Sequence, residues 1–278
     1  MKKMILSLLT LSIVSLSSAQ VKMPAPSPAQ TIKQDFGMAS IELTYSRPSL
    51  KGRTIMGDLE QWNVLWRTGA NAATKITFND DVEVFGHKVA PGSYAIYTIP
   101  QKNGEWTFIL NKGANNAGTA GYKESEDVFR QKVKVNKNPV KVETFTMQFS
   151  DLTHESCNLN MRWDDFAMQI PITTNIKDRV RAQIEEALKS DKKPYWQAAQ
   201  FYADLDKNYT KALEMVDGAI SQQPAPPFYM VYYKAVIQKE MGDKKAALAT
   251  SKEALQLAKE AKNDSYVLLN EKLMKQLK

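Results

Sequence analysis

Residues 156–188, SCNLNMRWDDFAMQIPITTNIKDRVRAQIEEAL, contain the change of pattern that decides the fold. From Cys157 to Trp163, apolar side chains alternate with polar ones at every second position, which is the pattern of a half-buried β-strand. From Ile176 to Leu188 they recur at every fourth position, as in an amphipathic helix. The sequence therefore predicts an α+β chain in which an all-β part is followed by a helical part, with the boundary near residue 174.

The part of the chain before this boundary has the composition of an all-β domain. Short segments rich in Thr, Val, Ile and aromatic residues are separated by Gly, Asn, Asp and Pro, which predicts a sandwich or barrel over residues 31–174. Asn103-Gly104 and Phe85-Gly86-His87-Lys88 have the sequence of hairpin turns. The predicted strands are Ser40–Ser46, Thr74–Phe78, Ser93–Ile99, Trp106–Leu110, Gln131–Val135, Val140–Phe149, Ser156–Trp163 and Phe166–Ile172.

Three features of this part fall outside the strand pattern or interrupt it. Residues 47–73 form a long irregular stretch, but its tryptophans Trp62 and Trp66 are too apolar to remain in solvent, so we expect it to cover one end of the sheet structure. Asp164-Asp165 is predicted to be a turn between the last two strands. His154-Glu155 is predicted to lie on a strand, with its two side chains on opposite faces.

After Asn175 the sequence predicts helices that form an internal repeat. Thr174-Asn175 supplies good capping residues for a first helix over Lys177–Lys189. Two helical hairpins follow, at Pro194–Gln222 and Phe228–Glu260. An offset of 35 residues superposes apolar positions of the two hairpins, namely Ala212 on Ala247, Leu213 on Leu248, Ala219 on Ala254 and Ile220 on Leu255.

The first hairpin resembles a tetratricopeptide repeat. It has Trp196 near its start and Pro224 at its close, although Ala199-Gln200 replaces the usual Leu-Gly pair. We therefore predict a tetratricopeptide-like domain over residues 175–278. Because such arrays usually need about three repeats, the helices before and after the hairpins, Lys177–Lys189 and Ser265–Leu277, are expected to act as caps.

The amino-terminal segment predicts export. Lys2 and Lys3 precede an apolar run that ends in Ser17-Ser18-Ala19, which is the pattern of a secretory signal peptide cleaved after Ala19. The run is shorter than the roughly 20 apolar residues that a membrane span needs, so no span is expected after cleavage. Residues 20–30, with three prolines, are predicted to be an extended leader. We expect a periplasmic or secreted protein.

The charge pattern argues against a nucleic-acid partner. The formal net charge is +7, but lysine and arginine are interspersed with acids along the whole chain. Export also separates the protein from nucleic acid. We therefore interpret the basic side chains as solvated surface rather than as a nucleic-acid interface.

Four separated motifs resemble a known family. They are YSRPSLKGR (45–53), WRTGAN (66–71), PGSYAIYTIP (91–100) and WTFILN (106–111). In this order they are similar to the domain of unknown function 2911, a family of exported bacterial proteins whose members often carry helical repeats behind the β domain. The resemblance spans about residues 31–174 and implies export and this domain plan. It implies no catalytic residue.

One cluster of polar residues is a candidate site for a small anion. It lies in and beside the first irregular stretch, where guanidinium groups suit a carboxylate or phosphate, as in a sugar acid, a phosphate ester or a peptide carboxyl terminus. The alternative is that the arginines pair with Asp58, Glu60, Asp80 or Asp81, or cap carbonyl groups of the loop. The candidate residues are Arg47, Arg53, Arg67, Thr68, Asn71, Asn111 and His154.

Aromatic residues give two further candidate surfaces. Trp62, Trp66, Trp106, Tyr94, Tyr97 and Trp163 suit either core packing, which we favour, or a glycan-stacking platform. On the helices, two interpretations are open for a second aromatic group: interhelical core packing for some of its members, or a groove for an extended peptide. The residues are Tyr195, Trp196, Tyr229, Tyr232 and Tyr233.

Catalytic and metal motifs are absent from the sequence. His87 and His154 are the only histidines and belong to no metal-ligand pattern, no Gly-x-Ser-x-Gly occurs, and the single cysteine, Cys157, is predicted to be a buried apolar side chain. We therefore expect no metal and no cofactor.

Three functional hypotheses follow from the sequence. The favoured one is a non-catalytic binding or scaffolding protein, in which the β domain takes a small anionic or glycan ligand and the helices hold a protein partner. The second is an envelope hydrolase of glycans or esters, acting through a carboxylate or a histidine, which predicts a deep pocket holding an acid with a strongly shifted pKa. The third is a purely structural envelope protein.

Overall fold

The computed structural model describes residues 23–278, so the predicted signal peptide, residues 1–19, and the first residues of the leader lie outside the described part. Within residues 23–278, ten β-strands are followed by six α-helices, as the change of pattern near residue 174 predicts. The strands form two antiparallel sheets that face each other without closing into a barrel. The sequence prediction of an α+β chain is confirmed. Of the two architectures predicted for its all-β part, the structure has the sandwich and not the barrel.

One sheet has six strands and the other has four. Their spatial orders are β1-β2-β3-β6-β7-β8 and β5-β4-β10-β9. The strands are β1 (Ala29–Phe36), β2 (Ala39–Ser46), β3 (Thr74–Phe78), β4 (Val82–Val84), β5 (His87–Val89), β6 (Gly92–Ile99), β7 (Glu105–Asn111), β8 (Asp127–Lys134), β9 (Asn136–Ser150) and β10 (Ser156–Thr173).

The core between the sheets is completed by the irregular stretch at residues 47–73. Trp66 is 2% exposed and forms a two-residue bridge with Thr98 of β6, so the stretch is anchored on the sheet. The indole of Trp66 is stacked on Trp163 at 5.7 Å and meets Trp106 at 6.3 Å. The expectation that this stretch covers part of the sandwich is confirmed. The prediction that the sandwich aromatics pack in the core is also confirmed for four of them, which are buried: Trp66, Trp106, Tyr97 and Trp163. Buried rings cannot stack on a glycan, so these four form no glycan platform.

Three strand predictions differ from the structure. Strand β1 begins at Ala29, within the predicted leader. It pairs with β2 along its whole length. Because it is an edge strand with mostly polar side chains, its sequence lacks the apolar alternation that predicts a strand. The structure has one continuous strand where the sequence predicts two, Ser156–Trp163 and Phe166–Ile172. A β-bulge keeps Asp164, at φ 50°, within the strand. The ammonium group of Lys141 pairs with the carboxylate of Asp164 at 2.8 Å. The predicted turn at Asp164-Asp165 is therefore wrong.

His154-Glu155 does not lie on a strand. Both residues belong to the turn between β9 and β10, where the backbone N–H groups of Glu155 and Ser156 donate to the hydroxyl of Thr153 at 3.2 and 2.9 Å. A threonine hydroxyl that binds the following N–H groups stabilises a turn in place of the sheet ladder.

The six helices have short connections, which place consecutive helices antiparallel. Their bounds are α1 (Lys177–Ala187), α2 (Tyr195–Gln200), α3 (Tyr209–Ser221), α4 (Phe228–Glu240), α5 (Lys244–Glu260) and α6 (Asp264–Leu277), and a π-helical turn over Phe201–Leu205 continues α2. None of these helices is long and apolar enough to cross a membrane.

The internal repeat corresponds to a repeated packing of α3 and α5. Ala212 and Ala247, which the offset superposes, are both fully buried, and so are Ala219 and Ala254 at 1% and 0% exposure. The side chains of Asn208 and Asp243 cap the two helices at the same offset, each accepting a backbone N–H three residues ahead. Small side chains at these positions allow the paired helices to approach closely.

The first helix begins differently from the prediction. The side chains of Thr174 and Asn175 do not cap it; the hydroxyl of Thr174 donates to the carbonyl of Asp81, at 3.0 Å. Glu155 instead accepts the backbone N–H of Ile176 at 3.1 Å. The guanidinium of Arg179 pairs with both carboxylate oxygens of Asp80. The start of α1 is thus held by the sandwich.

Candidate functional site

The two long loops of the sandwich meet over the outer face of the six-stranded sheet. A small apolar cluster lies there, formed by Ala73, Ala95, Tyr97 and Ile109, and we call it the outer cluster. Leu65 from the first loop and Tyr122 from the second pack against it. The backbone N–H of Ala73 donates to the carbonyl of Asn116 at 3.2 Å, which joins the loops directly. Both loops are therefore shaped by the same patch of sheet.

The second loop, residues 111–127, is held by side-chain hydrogen bonds. The hydroxyl of Tyr97 donates to the carbonyl of Gly118 and accepts from the amide of Asn116, each at 3.1 Å. At the ends of the loop, the amide of Asn111 donates to a carboxylate oxygen of Asp127 at 2.7 Å. The fully buried Asn111 therefore closes the loop, and its donors are used inside the protein.

A second set of bonds ties the loop to strand β8. The guanidinium of Arg130 donates to the carboxylate of Asp127 and to the hydroxyl of Tyr122, each at 2.6 Å. Burial and the acceptor Asp127 raise the pKa of Tyr122 to about 12, so its hydroxyl stays protonated. These hydrogen bonds order the loop.

Besides Asn111, four of the predicted anion-binding residues have internal partners. The guanidinium of Arg47 donates to the carbonyl of Phe145 and the hydroxyl of Thr146, at 3.1 and 2.8 Å. The guanidinium of Arg53 caps the carbonyls of Leu50 and Ser49. The hydroxyl of Thr68 lies 3.1 Å from the hydroxyl of Thr98. The side-chain amide of Asn71 donates to the carbonyl of Ser27 at 3.3 Å and to the hydroxyl of Ser46 at 3.2 Å.

Arg67 differs from these residues. Its half-buried guanidinium makes no hydrogen bond and no ion pair with any group of residues 23–278. It lies against the second loop at Gly118, where an added Cβ would come within 2.7 Å of its Nη1 atom. Because Gly118 also has φ 69°, the loop needs glycine here both for its backbone and for the space that Arg67 occupies. Arg67 is thus positioned between the loops with its five donors unused.

Glu60 lies close to this guanidinium. Burial raises the pKa of Glu60 to about 7, and the positive charge of Arg67 opposes that rise. Its carboxyl group makes no hydrogen bond or ion pair within the described part of the chain. At neutral pH the group is therefore divided between its acid and carboxylate forms, so it only partly compensates the charge of Arg67.

The two histidines lie away from Arg67. His154 is exposed in the turn between β9 and β10, at the end of the sandwich that contacts α1, because the neighbouring Glu155 binds Ile176. His87 stacks on Phe129 at 4.4 Å. The structure therefore brings Arg67, Thr68, Asn71 and Asn111 to the region of the two loops, and it places His154 elsewhere.

Comparison with known proteins gives one match. A family model described as a protein of unknown function, DUF2911, matches residues 27–172. The chain belongs to this family. No curated protein and no solved structure matches the chain. The DUF2911 match covers the sandwich from before β1 almost to the end of β10, and it includes Glu60 and Arg67 but none of the helices.

The WRTGAN motif that resembles the family forms a tight backbone turn. Thr68 and Asn71 have positive φ values of 54° and 60°, which are uncommon for residues with a side chain. Between them, Gly69 has φ 153°, and a Cβ there would lie 3.0 Å from the hydroxyl of Thr74 and 3.1 Å from the carbonyl of Ser46. The turn fixes where Arg67 leaves the backbone, so it acts as a positioning element of this DUF2911 sandwich.

Behind the DUF2911 part, three of the predicted aromatic residues of the helices share ring contacts, and most of the set packs against the helical core. Trp196 meets Tyr229 at 5.6 Å and Tyr233 at 5.3 Å, both edge to face. Tyr232 instead contacts Tyr266 of α6 at 5.5 Å, and Tyr195 packs against Gly218 of α3. All five predicted residues are half-buried. We call the face formed by Tyr195, Trp196, Tyr229, Tyr232 and Tyr233 the aromatic strip.

A cleft of about 690 Å³ lies where the DUF2911 sandwich meets α1. Val82, Val89 and Ala90 form its apolar part, and charged groups surround it, among them Lys88 and Arg179. Arg179 is already paired with Asp80, and Thr174 with the carbonyl of Asp81. The Arg179–Asp80 ion pair and the hydrogen bond of Thr174 therefore hold the start of α1 against the sandwich.

Sequence reasoning identified Arg67 but missed the groups that surround it. Glu60 was considered only as a pairing partner for the arginines, and Tyr97 only as a core or glycan residue. Asn116 belongs to none of the predicted strands. The available signal was the alternation of β6, which places Tyr97 on the face opposite to Ile96 and Thr98, and therefore under the loops.

Proposed function

We propose that this protein is an exported binding protein whose sandwich takes a small anionic ligand at Arg67 and whose helices hold a protein partner. The observation that carries the first half is the unused guanidinium of Arg67, in a region where the neighbouring polar groups other than Glu60 have internal partners. Arginine presents a planar set of donors that matches a carboxylate or a phosphate in two parallel bonds. The ligand class is a sugar acid, a phosphate ester or a peptide carboxyl terminus.

The first prediction concerns anion binding by Arg67. Replacing Arg67 with Gln is expected to weaken binding of glucuronate or glucose 6-phosphate by about ten- to hundredfold, because charge-assisted hydrogen bonds contribute about 1.5–3 kcal/mol. Isothermal titration of the full-length protein measures the change, with glucose as the neutral probe. The matched control is Arg162→Gln, since Arg162 is also a half-buried arginine of the sandwich but lies on β10.

Two results oppose this proposal. Equal binding of glucose and its anionic derivatives would show that charge recognition is not involved. A loss of thermal stability in Arg67→Gln, with no anion bound by the native protein, would favour the purely structural hypothesis, in which Arg67 only supports the loops.

The second half of the proposal rests on the aromatic strip. Half-buried rings offer an apolar surface whose edges remain accessible, and tyrosine and tryptophan are enriched where proteins bind one another. An extended peptide is the partner class, because the strip follows successive helices rather than a closed pocket. Within this set, Tyr232 contacts Tyr266 of α6 rather than Trp196.

A second candidate function is hydrolysis, and Glu60 is the observation that favours it. A carboxyl group with a pKa of about 7 is suited to donate a proton to a leaving group or to accept one from water at neutral pH. Hydrolysis of a chromogenic ester or glycoside by the purified protein, lost in Glu60→Gln, would support this alternative over simple binding.

The raised pKa of Glu60 gives a prediction for stability. Its pKa in the folded state lies above that of the unfolded chain, so the folded state holds the proton more tightly and stability falls as pH rises from about 4.5 to about 7. Glu60→Gln is expected to remove this dependence and to stabilise the protein at pH 8 by roughly 1–2 kcal/mol, less than the full shift because the group still contacts water. Urea unfolding at pH 5 to 8 measures it.

Asp58 on the same loop provides the contrast. The backbone N–H and the hydroxyl of Thr54 donate to the carboxylate of Asp58 and lower its pKa. The stability that Asp58 contributes is therefore present above the pKa of the unfolded chain and is lost as pH falls through the pKa of the folded state. Asp58→Asn should therefore change stability in the acid range with the opposite slope. A Glu60→Gln protein with the same pH profile as the native protein would contradict the assignment.

Export belongs to the proposal as well. Residues 1–19 have the pattern of a signal peptide, and cleavage after Ala19 would leave Gln20 as the first residue of a periplasmic or secreted protein. Amino-terminal sequencing of the protein from the envelope fraction tests this. A chain that still begins at Met1 in the cytoplasm would contradict it.

A further inference from the structure

A small cavity lies beside the π-helical turn of the helical part. The turn, Phe201–Leu205, places Ala203 and Asp204 at the wall of a cavity of about 210 Å³. π-Helical turns are rare and frequently occur at functional sites, because the wider turn changes the direction of the side chains. The remaining lining residues are Lys207, Tyr209, Tyr233, Val236, Ile237 and Glu240.

One polar atom of this cavity lacks a partner. The hydroxyl oxygen of Tyr233 is buried and makes no hydrogen bond within residues 23–278. Burial and the side chain of Asp204, whose carboxylate can accept the hydroxyl proton, raise the pKa of Tyr233, so the hydroxyl stays protonated. With its proton directed at Asp204, the hydroxyl oxygen keeps lone pairs that can accept a hydrogen bond from a ligand in the cavity.

The charges and the shape of the cavity favour a cation on an alkyl chain. Asp204 has no ion pair in the described part of the chain, and Glu240 contacts only its neighbour Lys239, at 3.7 Å. Val236 and Ile237 give an apolar wall. Aromatic rings that line a cavity attract a cation, while an apolar wall accommodates the methylene groups behind it.

We propose that this cavity binds the ammonium or guanidinium end of an alkyl chain, as in a lysine or arginine side chain of an extended peptide. Asp204 and Glu240 neutralise the cation, Tyr233 accepts a hydrogen bond from it, and the apolar wall contacts the stem. The cavity adjoins the aromatic strip, since Tyr233 belongs to both. The peptide source therefore rests on the partner half of the proposed function, whereas the cation site does not depend on Arg67.

Calorimetric titration of the full-length protein tests the cation site. Nα-acetyl-lysine amide and Nα-acetyl-arginine amide are expected to bind with a Kd on the order of 1 mM, and the neutral analogues with norleucine and citrulline are expected to bind at least about tenfold more weakly. The double variant Asp204→Asn/Glu240→Gln should lose this preference, and Lys207→Met should strengthen binding because it removes a competing cation. Glu253→Gln is the control, an exposed acid on α5.

Two outcomes would overturn the proposal: equal binding of the charged and neutral derivatives, or unchanged binding by a folded double variant. Circular dichroism establishes that the variant is folded, and Tyr233→Phe provides an independent variant that should also bind less tightly.

A further arm of the experiment separates the two sources of the cation. The peptide acetyl-Ala-Ala-Lys-Ala-Ala-amide is compared with 1,5-diaminopentane. Tighter binding of the peptide supports a protein partner, and tighter binding of the diamine supports the same cation site with a small-molecule ligand. Tyr229→Ala, which changes the aromatic strip at a residue outside the cavity lining, should remove the advantage of the peptide but leave binding of the lysine derivative intact. Failure of the aromatic strip is thereby distinguished from failure of the cavity.

Discussion

Replacing Trp66 with alanine is expected to lower the free energy of unfolding of the sandwich by about 3–5 kcal/mol. The indole is almost completely buried and contacts three other rings, those of Trp106, Phe145 and Trp163, within 6.3 Å. Its N–H also donates to the carbonyl of Gly69 at 3.0 Å, which holds the turn that carries Arg67. Alanine would leave a cavity between the sheets and release that turn.

Urea unfolding followed by circular dichroism measures the effect of Trp66→Ala. Trp62→Ala is the matched control, because Trp62 lies on the same loop but is half-buried and meets one ring, that of Phe166, at 6.2 Å. Natural domains are stable by about 5–15 kcal/mol, so the Trp66 variant should be near the limit of folding while the control stays folded. Equal losses in the two variants would contradict the central role of Trp66 in the core.

Prediction of the fold from the sequence succeeded where one face of an element is buried. The alternation around Leu159 and the four-residue period around Ile184 are direct consequences of such burial. Strand β1 was missed because an edge strand with polar side chains on both faces lacks that signal. The break expected at Asp164 was wrong because acidic residues favour turns locally, whereas an ion pair with Lys141 and a bulge keep this one in the strand.

The candidate site was predictable only in its residue types. Guanidinium groups in a long loop indicated an anion site, but whether each is free depends on partners far along the chain. Arg47 binds the carbonyl of Phe145, which is 98 residues away, whereas Arg53 binds that of Leu50, three residues away. Local patterns contain no information about the first kind of contact. The unused donors of Arg67 could therefore be recognised only from the packed loops.

The hydroxyl of Tyr45 joins the two sheets, and its removal is expected to cost about 1–3 kcal/mol of stability. Tyr45 lies in β2 and is 2% exposed, and its hydroxyl accepts the backbone N–H of Met147 in β9 at 2.9 Å. The same oxygen lies 3.1 Å from the carbonyl of Met147 and donates to the side chain of Gln30 at 2.8 Å. Strand β9 is an edge strand, so its outer backbone groups have no neighbouring strand of the same sheet. At Met147 the hydroxyl of Tyr45 provides the hydrogen bond that such a strand would make.

Tyr45→Phe keeps the ring and removes only these bonds, so Met147 is left with a buried N–H that neither water nor another strand can satisfy. Tyr94→Phe is the control, since its hydroxyl donates to the carbonyl of Ala90 at 2.8 Å in an exposed position where water can replace it. Thermal and urea unfolding of the two variants should therefore differ, with the larger loss at Tyr45. If Tyr45→Phe is as stable as the native protein, the backbone N–H of Met147 finds another acceptor. The hydroxyl of Tyr45 would then not stabilise the contact between the sheets.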